Sequence, residues 1–98
     1  MPYPVRFSTR AYTEYESILH YVSDNFGILK ALDVDTHYEG IIKQISSNPE
    51  MYPTSLKYSE IRRCVISRQT SLYYLFTGEF VESISFRANR MDSHSFDF

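Results

Sequence analysis

Arginine carries a permanent positive charge on a planar fork of donors, which suits it to gripping carboxylates and phosphates. In this chain arginines gather in two places. Arg62 and Arg63 stand in "IRRCVIS", and Arg87 and Arg90 stand in "SISFRANRMDSHSF" beside Asn89 and Asp92. Two chemistries are open to such clusters. They can hold the acidic groups of a partner protein, or clamp a nucleic-acid phosphate while another group moves a proton. The plain structural alternative is a solvated strand end in which Arg90 and Asp92 pair with each other.

Other residue types offer less. His20, His37 and His94 lack metal-ligand spacing and read as surface residues. Cys64 lies alone in an apolar run and reads as a small buried hydrophobe. Glu14 with Glu16, and Asp33 with Asp35, are two positions apart on helices, so they form no acid/base dyad and read as solvent faces. With only Gly27, Gly40 and Gly78 there is no glycine-rich phosphate loop. The expectation is no metal and no cofactor.

The elements that must position the arginines follow from periodicity. "VRF" at 5–7 is a short alternating strand, and Ser8 is placed to cap the helix after it. Ala11, Tyr15, Ile18, Leu19, Val22 and Phe26 form an apolar stripe, predicting a helix over 9–25 that Gly27 ends. A second stripe, Ala31, Val34, Tyr38, Ile41, Ile42 and Ile45, runs up to "SSNPE", where Pro49 cannot continue a helix. The link between the stripes is short, so the helices form an antiparallel hairpin. Beyond "NPEMYPTSLKYSE" the period falls to two, with strands at 61–67, 71–76 and 81–86 separated by "RQT" and "TGEF". This predicts one α+β domain over residues 1–98, in the order β-α-α-β-β-β, with the helical hairpin packed on one face of a small antiparallel sheet.

Alternation then assigns the two faces of the sheet. Cys64, Ile66, Leu72, Tyr74, Phe76, Ile84 and Phe86 point to the helices. Arg63, Val65, Tyr73, Leu75, Ser85 and Arg87 point to the open side, with Arg62 near the strand edge. Guanidinium groups beside aromatic and aliphatic area suit a partner helix or a stretch of RNA. Composition limits the second option. The formal charge is −2, and the first 49 residues carry six acidic side chains against four basic ones. A broad basic footprint for a polyanion is missing. The 43% apolar and 16% aromatic content is enough for a core without disulfides. The start of the chain has no apolar signal-peptide region and no stretch long enough to span a membrane, so the expected location is the cytoplasm.

The strand pair "IRRCVISRQTSLYYLF", the strand end "ISFRANRMDS" and the loop "NPEMYP" resemble the RelE/ParE superfamily of toxins from bacterial type II toxin-antitoxin systems. The resemblance runs from "VRFSTRA" to the tail, with each motif on the expected element. It implies a cytoplasmic toxin of plasmid-stabilisation type in a hetero-oligomer with a cognate antitoxin, whose C-terminal segment folds as it wraps the toxin. One branch of the superfamily, RelE-like, cuts mRNA on the ribosome; the other, ParE-like, poisons DNA gyrase.

The nuclease branch commonly has an arginine where this chain has Ser71, and a C-terminal tyrosine where it has Phe96. Phe96 has no proton to donate, which turns the expectation towards a ParE-like, non-enzymatic binding toxin. Its implied partner-binding residues are Arg62, Arg63, Tyr73, Leu75, Arg87, Asn89 and Arg90. The alternatives are an mRNA endoribonuclease using Arg63, Arg87, Arg90 and His94, and a non-toxic binding module of the same fold.

Overall fold

The computed structural model describes residues 2–89. Six elements follow one another: β1 (Val5–Phe7), α1 (Thr9–Phe26), α2 (Ile28–Ser47), β2 (Ile61–Val65), β3 (Thr70–Phe76) and β4 (Val81–Ala88).

Ser8 joins the first strand to the first helix in two ways. Its extended backbone and side-chain oxygen cap α1, accepting from the Ala11 amide at 3.0 Å. Its hydroxyl donates to the Ile84 carbonyl at 2.8 Å, and its amide to the Ser83 carbonyl at 2.9 Å, so the helix start is tied to β4. At the far end of α1 a single residue turns the chain. Gly27 adopts φ +95°, returns its amide to the Ser23 carbonyl at 3.0 Å, and is followed directly by α2. The positive φ is why glycine stands there.

The sheet order is β1-β4-β3-β2. β2, β3 and β4 form the antiparallel meander that the turn residues predict, and β1 joins its edge parallel to β4, pairing Val5 with Val81 and Phe7 with Ser83. The four-stranded sheet is therefore mixed. The parallel partner of β1 is one that no local pattern in "VRF" encodes.

Both helices cover one face of this sheet. Ala11, Tyr38, Ile45, Cys64, Ile66, Leu72, Tyr74, Val81 and Phe86 form the buried core, with Val5, Phe7, Tyr15, Ile18, Val34, Ile41 and Ile42 packed against it. Phe86 is its aromatic centre, stacked on Tyr38 at 6.1 Å and on Phe7 at 5.9 Å, with Tyr15 at 5.3 Å. Cys64 is fully buried, as its apolar run suggests.

Three expectations on facing are corrected. The register of β3 on β4 shifts between Tyr73 and Tyr74: Tyr73 pairs with Ser85 and Tyr74 with Ser83, leaving Ile84 as the extra residue of a β-bulge. Ile84 is thus half-buried and outside the core, while Val81 takes an inward place opposite Phe76. Phe26 extends the α1 stripe in sequence but is 66% exposed, because the hairpin tip runs past the sheet. Glu14 and Asp35 are half-buried and hydrogen-bonded, not simply solvent-facing: the first reaches β4 and the second accepts from the Tyr15 hydroxyl. No helix among the described residues is long and apolar enough to cross a membrane.

Candidate partner interface on the open face of the sheet

The face turned away from the helices carries two rows of directly paired side chains. One row is Arg63, Tyr73 and Ser85; the next is Val65, Ser71 and Arg87. Arg63 on β2 and Arg87 on β4 therefore lie diagonally across β3, two strand spacings across and two residues along, roughly 12 Å apart at their Cα atoms. Leu75, paired with Ile61 and Glu82, continues the face beyond Tyr73.

Each arginine is held by polar neighbours. Arg63 donates from Nε to Ser71 Oγ at 3.3 Å and from Nη2 to Asn89 Oδ1 at 3.2 Å. The Ser71 hydroxyl in turn donates to Asn89 Oδ1 at 2.5 Å. Asn89 is fixed by the β2–β3 turn: its Nδ2 donates to the carbonyls of Ser67 at 3.0 Å and Arg68 at 3.2 Å, and its amide to that of Gln69 at 2.7 Å. Among the described residues the Arg63 acceptors are neutral groups that orient its positive charge. An exposed, oriented guanidinium suits a carboxylate or phosphate of a partner.

Arg87 is positioned through a longer relay. Its Nε donates to Ser85 Oγ at 3.1 Å, and the Ser85 hydroxyl donates to Glu14 Oε1 at 2.9 Å. The same carboxylate oxygen accepts the Phe86 amide at 3.0 Å, while Arg10 pairs with Oε2 at 3.3 Å. β1 pairs only with Val81–Ser83, so the edge of β4 beyond it is open to α1. Glu14 occupies that opening and takes the edge amide.

The predicted site residues do not all meet here. Arg63, Tyr73, Leu75, Arg87 and Asn89 share the open face or its border. Tyr73 is 3% exposed, against the expectation of an open aromatic surface, with Arg63 and Ser85 as direct cross-strand neighbours. Arg62 faces the other way. It donates from Nη1 to the carbonyls of Tyr52 at 2.7 Å and Glu50 at 3.3 Å, and approaches the Glu50 carboxylate at 3.7 Å, fastening the loop before β2. Arg90, Asp92, His94 and Phe96 lie outside the described residues.

Sequence reading missed Glu14, Ser71 and Ser85. Alternation does place both serines on the Arg63 and Arg87 face, yet nothing local shows that they bind guanidinium groups. His37 is exposed, as expected of a surface residue, and its Nε2 also donates to the Ile66 carbonyl at 2.9 Å, tying α2 to the end of β2.

On the helix side of β2 the phenols are raised in pKa. Tyr52 is pushed up to about 12, first by its hydrogen bond with Cys64 and then by burial. Tyr74 is pushed up to about 12 by burial, and its hydroxyl donates to the Pro49 carbonyl at 2.7 Å. Burial also raises the Cys64 thiol, partly offset by the Tyr52 hydrogen bond. These groups are neutral packing elements, remote from the open face. Among the described residues no cluster of three or more histidine, cysteine or carboxylate side chains could hold a metal ion.

No protein-family model matches the sequence, and no curated protein matches it. Solved structures do share its architecture. A chromosomal ParDE TA system from P. aeruginosa superposes with TM-score 0.77 at 12% identity, covering 90% of this chain and 97% of that one. A YoeB dimer from Staphylococcus aureus gives 0.65 at 14% identity, covering 92% and 100%. The E. coli DinJ-YafQ toxin-antitoxin complex gives 0.62 at 7% identity over the whole of both chains. The chain has the RelE/ParE toxin fold.

Proposed function

We propose that this chain is the toxin of a type II toxin-antitoxin pair, of the ParE-like kind, acting in the cytoplasm by protein contact on DNA gyrase and neutralised by a cognate antitoxin in a hetero-oligomer. The observation that carries the reading is the shared fold, in which 90% of the chain superposes on a ParDE structure at TM-score 0.77. The open face supports a contact mechanism. Arg63 and Arg87 are held by hydrogen bonds beside Leu75 and Val65, a mixture of charge and apolar area that suits a protein surface. Asn89, which orients Arg63, belongs to the same contact surface, and Arg90 follows it in sequence.

Protein contact is favoured over RNA cleavage by the chemistry of the same patch. Cleavage through a 2′-hydroxyl needs groups that give and take protons, and arginine stays protonated. Among the described residues, the two rows around Arg63 and Arg87 hold no histidine, lysine or carboxylate of their own, and the carboxylate that reaches Ser85 from α1, Glu14, is already taken by the Phe86 amide and Arg10. Ser71, where the nuclease branch commonly has an arginine, is fully buried under hydrogen bonds to Arg63 and Asn89.

The reading is tested with purified protein and gyrase. Supercoiling should be inhibited, or cleaved DNA trapped, at micromolar protein. The R63A/R87A variant should lose most of the effect while keeping its circular dichroism spectrum. No effect of the wild-type protein on gyrase would reject this target. Codon-positioned breaks in translated messages, mapped by primer extension and abolished in R63A/R87A, would establish the nuclease in its place. Harmless expression without an antitoxin, together with neither activity, would identify a binding module of the same fold.

A further inference from the structure

The end of the helical hairpin carries apolar surface that a single chain does not bury. Tyr21 and Phe26 near the end of α1, and Ile28, Leu29 and Leu32 at the start of α2, are each more than half exposed. They are contiguous. The Tyr21 and Phe26 rings meet edge to face at 6.4 Å, only Gly27 separates Phe26 from Ile28, and Leu32 lies one turn along from both Ile28 and Leu29. Other exposed large hydrophobics among the described residues, such as Met51, Leu56 and Val65, are scattered over other segments, which is normal for a soluble protein.

Together these five side chains expose about 600 Å² of largely apolar surface, the upper end for the largest patch on a monomer. Covering it with an equal patch would remove about 1,200 Å² from water, where specific protein interfaces begin. The rim selects the occupant. Over residues 20–33 the charged side chains are Asp24, Lys30 and Asp33, and none of them joins an ion pair among the described residues. A rim holding both signs is self-complementary, because a two-fold axis through the patch brings the lysine of each copy towards the acidic residues of the other. A rim of one sign would repel its own copy. One cation against two acidic groups also gives phosphate-rich nucleic acid and anionic membrane no hold.

We propose that the hairpin ends of two copies of this chain pack together as a two-fold symmetric dimer. Leu29 and Leu32 lie at its centre, Phe26 and Ile28 close around them, and Lys30 faces the acidic residues at the hairpin end of the second copy. The hairpin end is not part of the open sheet face, and the inference holds whether or not the chain is a toxin.

The test is sedimentation equilibrium of the full-length protein from low micromolar to near-millimolar concentration. The mass should rise from one chain to two, and the amide resonances of Phe26, Leu29 and Leu32 should move over the same range. The L29E/L32E variant changes two exposed positions near a helix start, where acidic residues are favourable, so it should keep its circular dichroism spectrum. Its dimer should be weaker by about tenfold or more. If that variant does not fold, the charges carry the test. K30E alone should weaken the dimer, and K30E mixed with D24K/D33K should form a heterodimer tighter than either variant forms with itself. A chain that stays monomeric at every concentration, a dimer unaffected by both L29E/L32E and K30E, or resonance shifts confined to other surfaces would each overturn the proposal. So would neutral lipid vesicles that bind the wild-type chain but not L29E/L32E while the chain in solution remains a monomer.

Discussion

Glu14 shows how one side chain organises several others. Its carboxylate accepts the Ser85 hydroxyl and the Phe86 amide and pairs with Arg10, and through Ser85 it helps to aim Arg87. Glu14→Ala removes the charged acceptor of a strand amide and should cost about 1–3 kcal/mol, read as a lower midpoint in urea unfolding. Glu14→Gln retains an acceptor oxygen and should recover most of that loss. Equal damage from both would mean that the ion pair with Arg10, not the capping of β4, is what matters.

Tyr52 and Tyr74 give the residue scale a pH signature. Both folded pKa values lie near 12, above the value of about 10 for an unfolded tyrosine. The stability tied to these neutral phenols is complete below about pH 10 and is lost as the pH rises through about 12. Thermal midpoints should fall across that window, and Tyr74→Phe should flatten the fall even though it loses the bond to Pro49. A Tyr74→Phe profile parallel to wild type would disprove the linkage.

At the scale of elements, the hairpin turn depends on a single residue. Gly27 sits at φ +95° and ψ 161°, and a Cβ there would meet no atom within 4 Å. The penalty for replacing it is therefore conformational and not steric. Gly27→Ala should cost about 1–3 kcal/mol in equilibrium unfolding with little change in the folded spectrum. A neutral substitution would show that the turn relaxes to a negative φ. The bulge at Ile84 is the other decisive local feature. It changes the phase of β4 so that both Val81 and Phe86, an odd number of positions apart, belong to the core.

For the whole molecule, helices and sheet share one core centred on Phe86, Tyr38 and Leu72, with no second apolar cluster to sustain either layer alone among the described residues. Unfolding should therefore be a single transition. Helix loss in the far ultraviolet and tyrosine signals in the near ultraviolet should coincide on heating, and a helical hairpin melting separately would contradict the shared core. The same layering gives the molecule two distinct surfaces. The open sheet face presents Arg63 and Arg87, whereas a groove between the helices is largely apolar and lined at its rim by Asp35, Glu39 and Lys43.

The sequence alone determined which segments are helix and which are strand, because those choices are made by periodicity within a dozen neighbouring residues. It also made the Arg63, Asn89 and Arg87 part of the candidate interface legible, since strand alternation and chain order bring these residues to one face. What only the tertiary structure decided are the relations between distant segments: β1 lying parallel to β4, Ile84 thrown out of register, and Glu14 accepting from Ser85 across 71 positions of sequence. A hydrogen bond between a helix and a strand edge depends on where the two elements dock, and docking is set by the packing of the common core around Phe86. No short stretch of sequence contains that information.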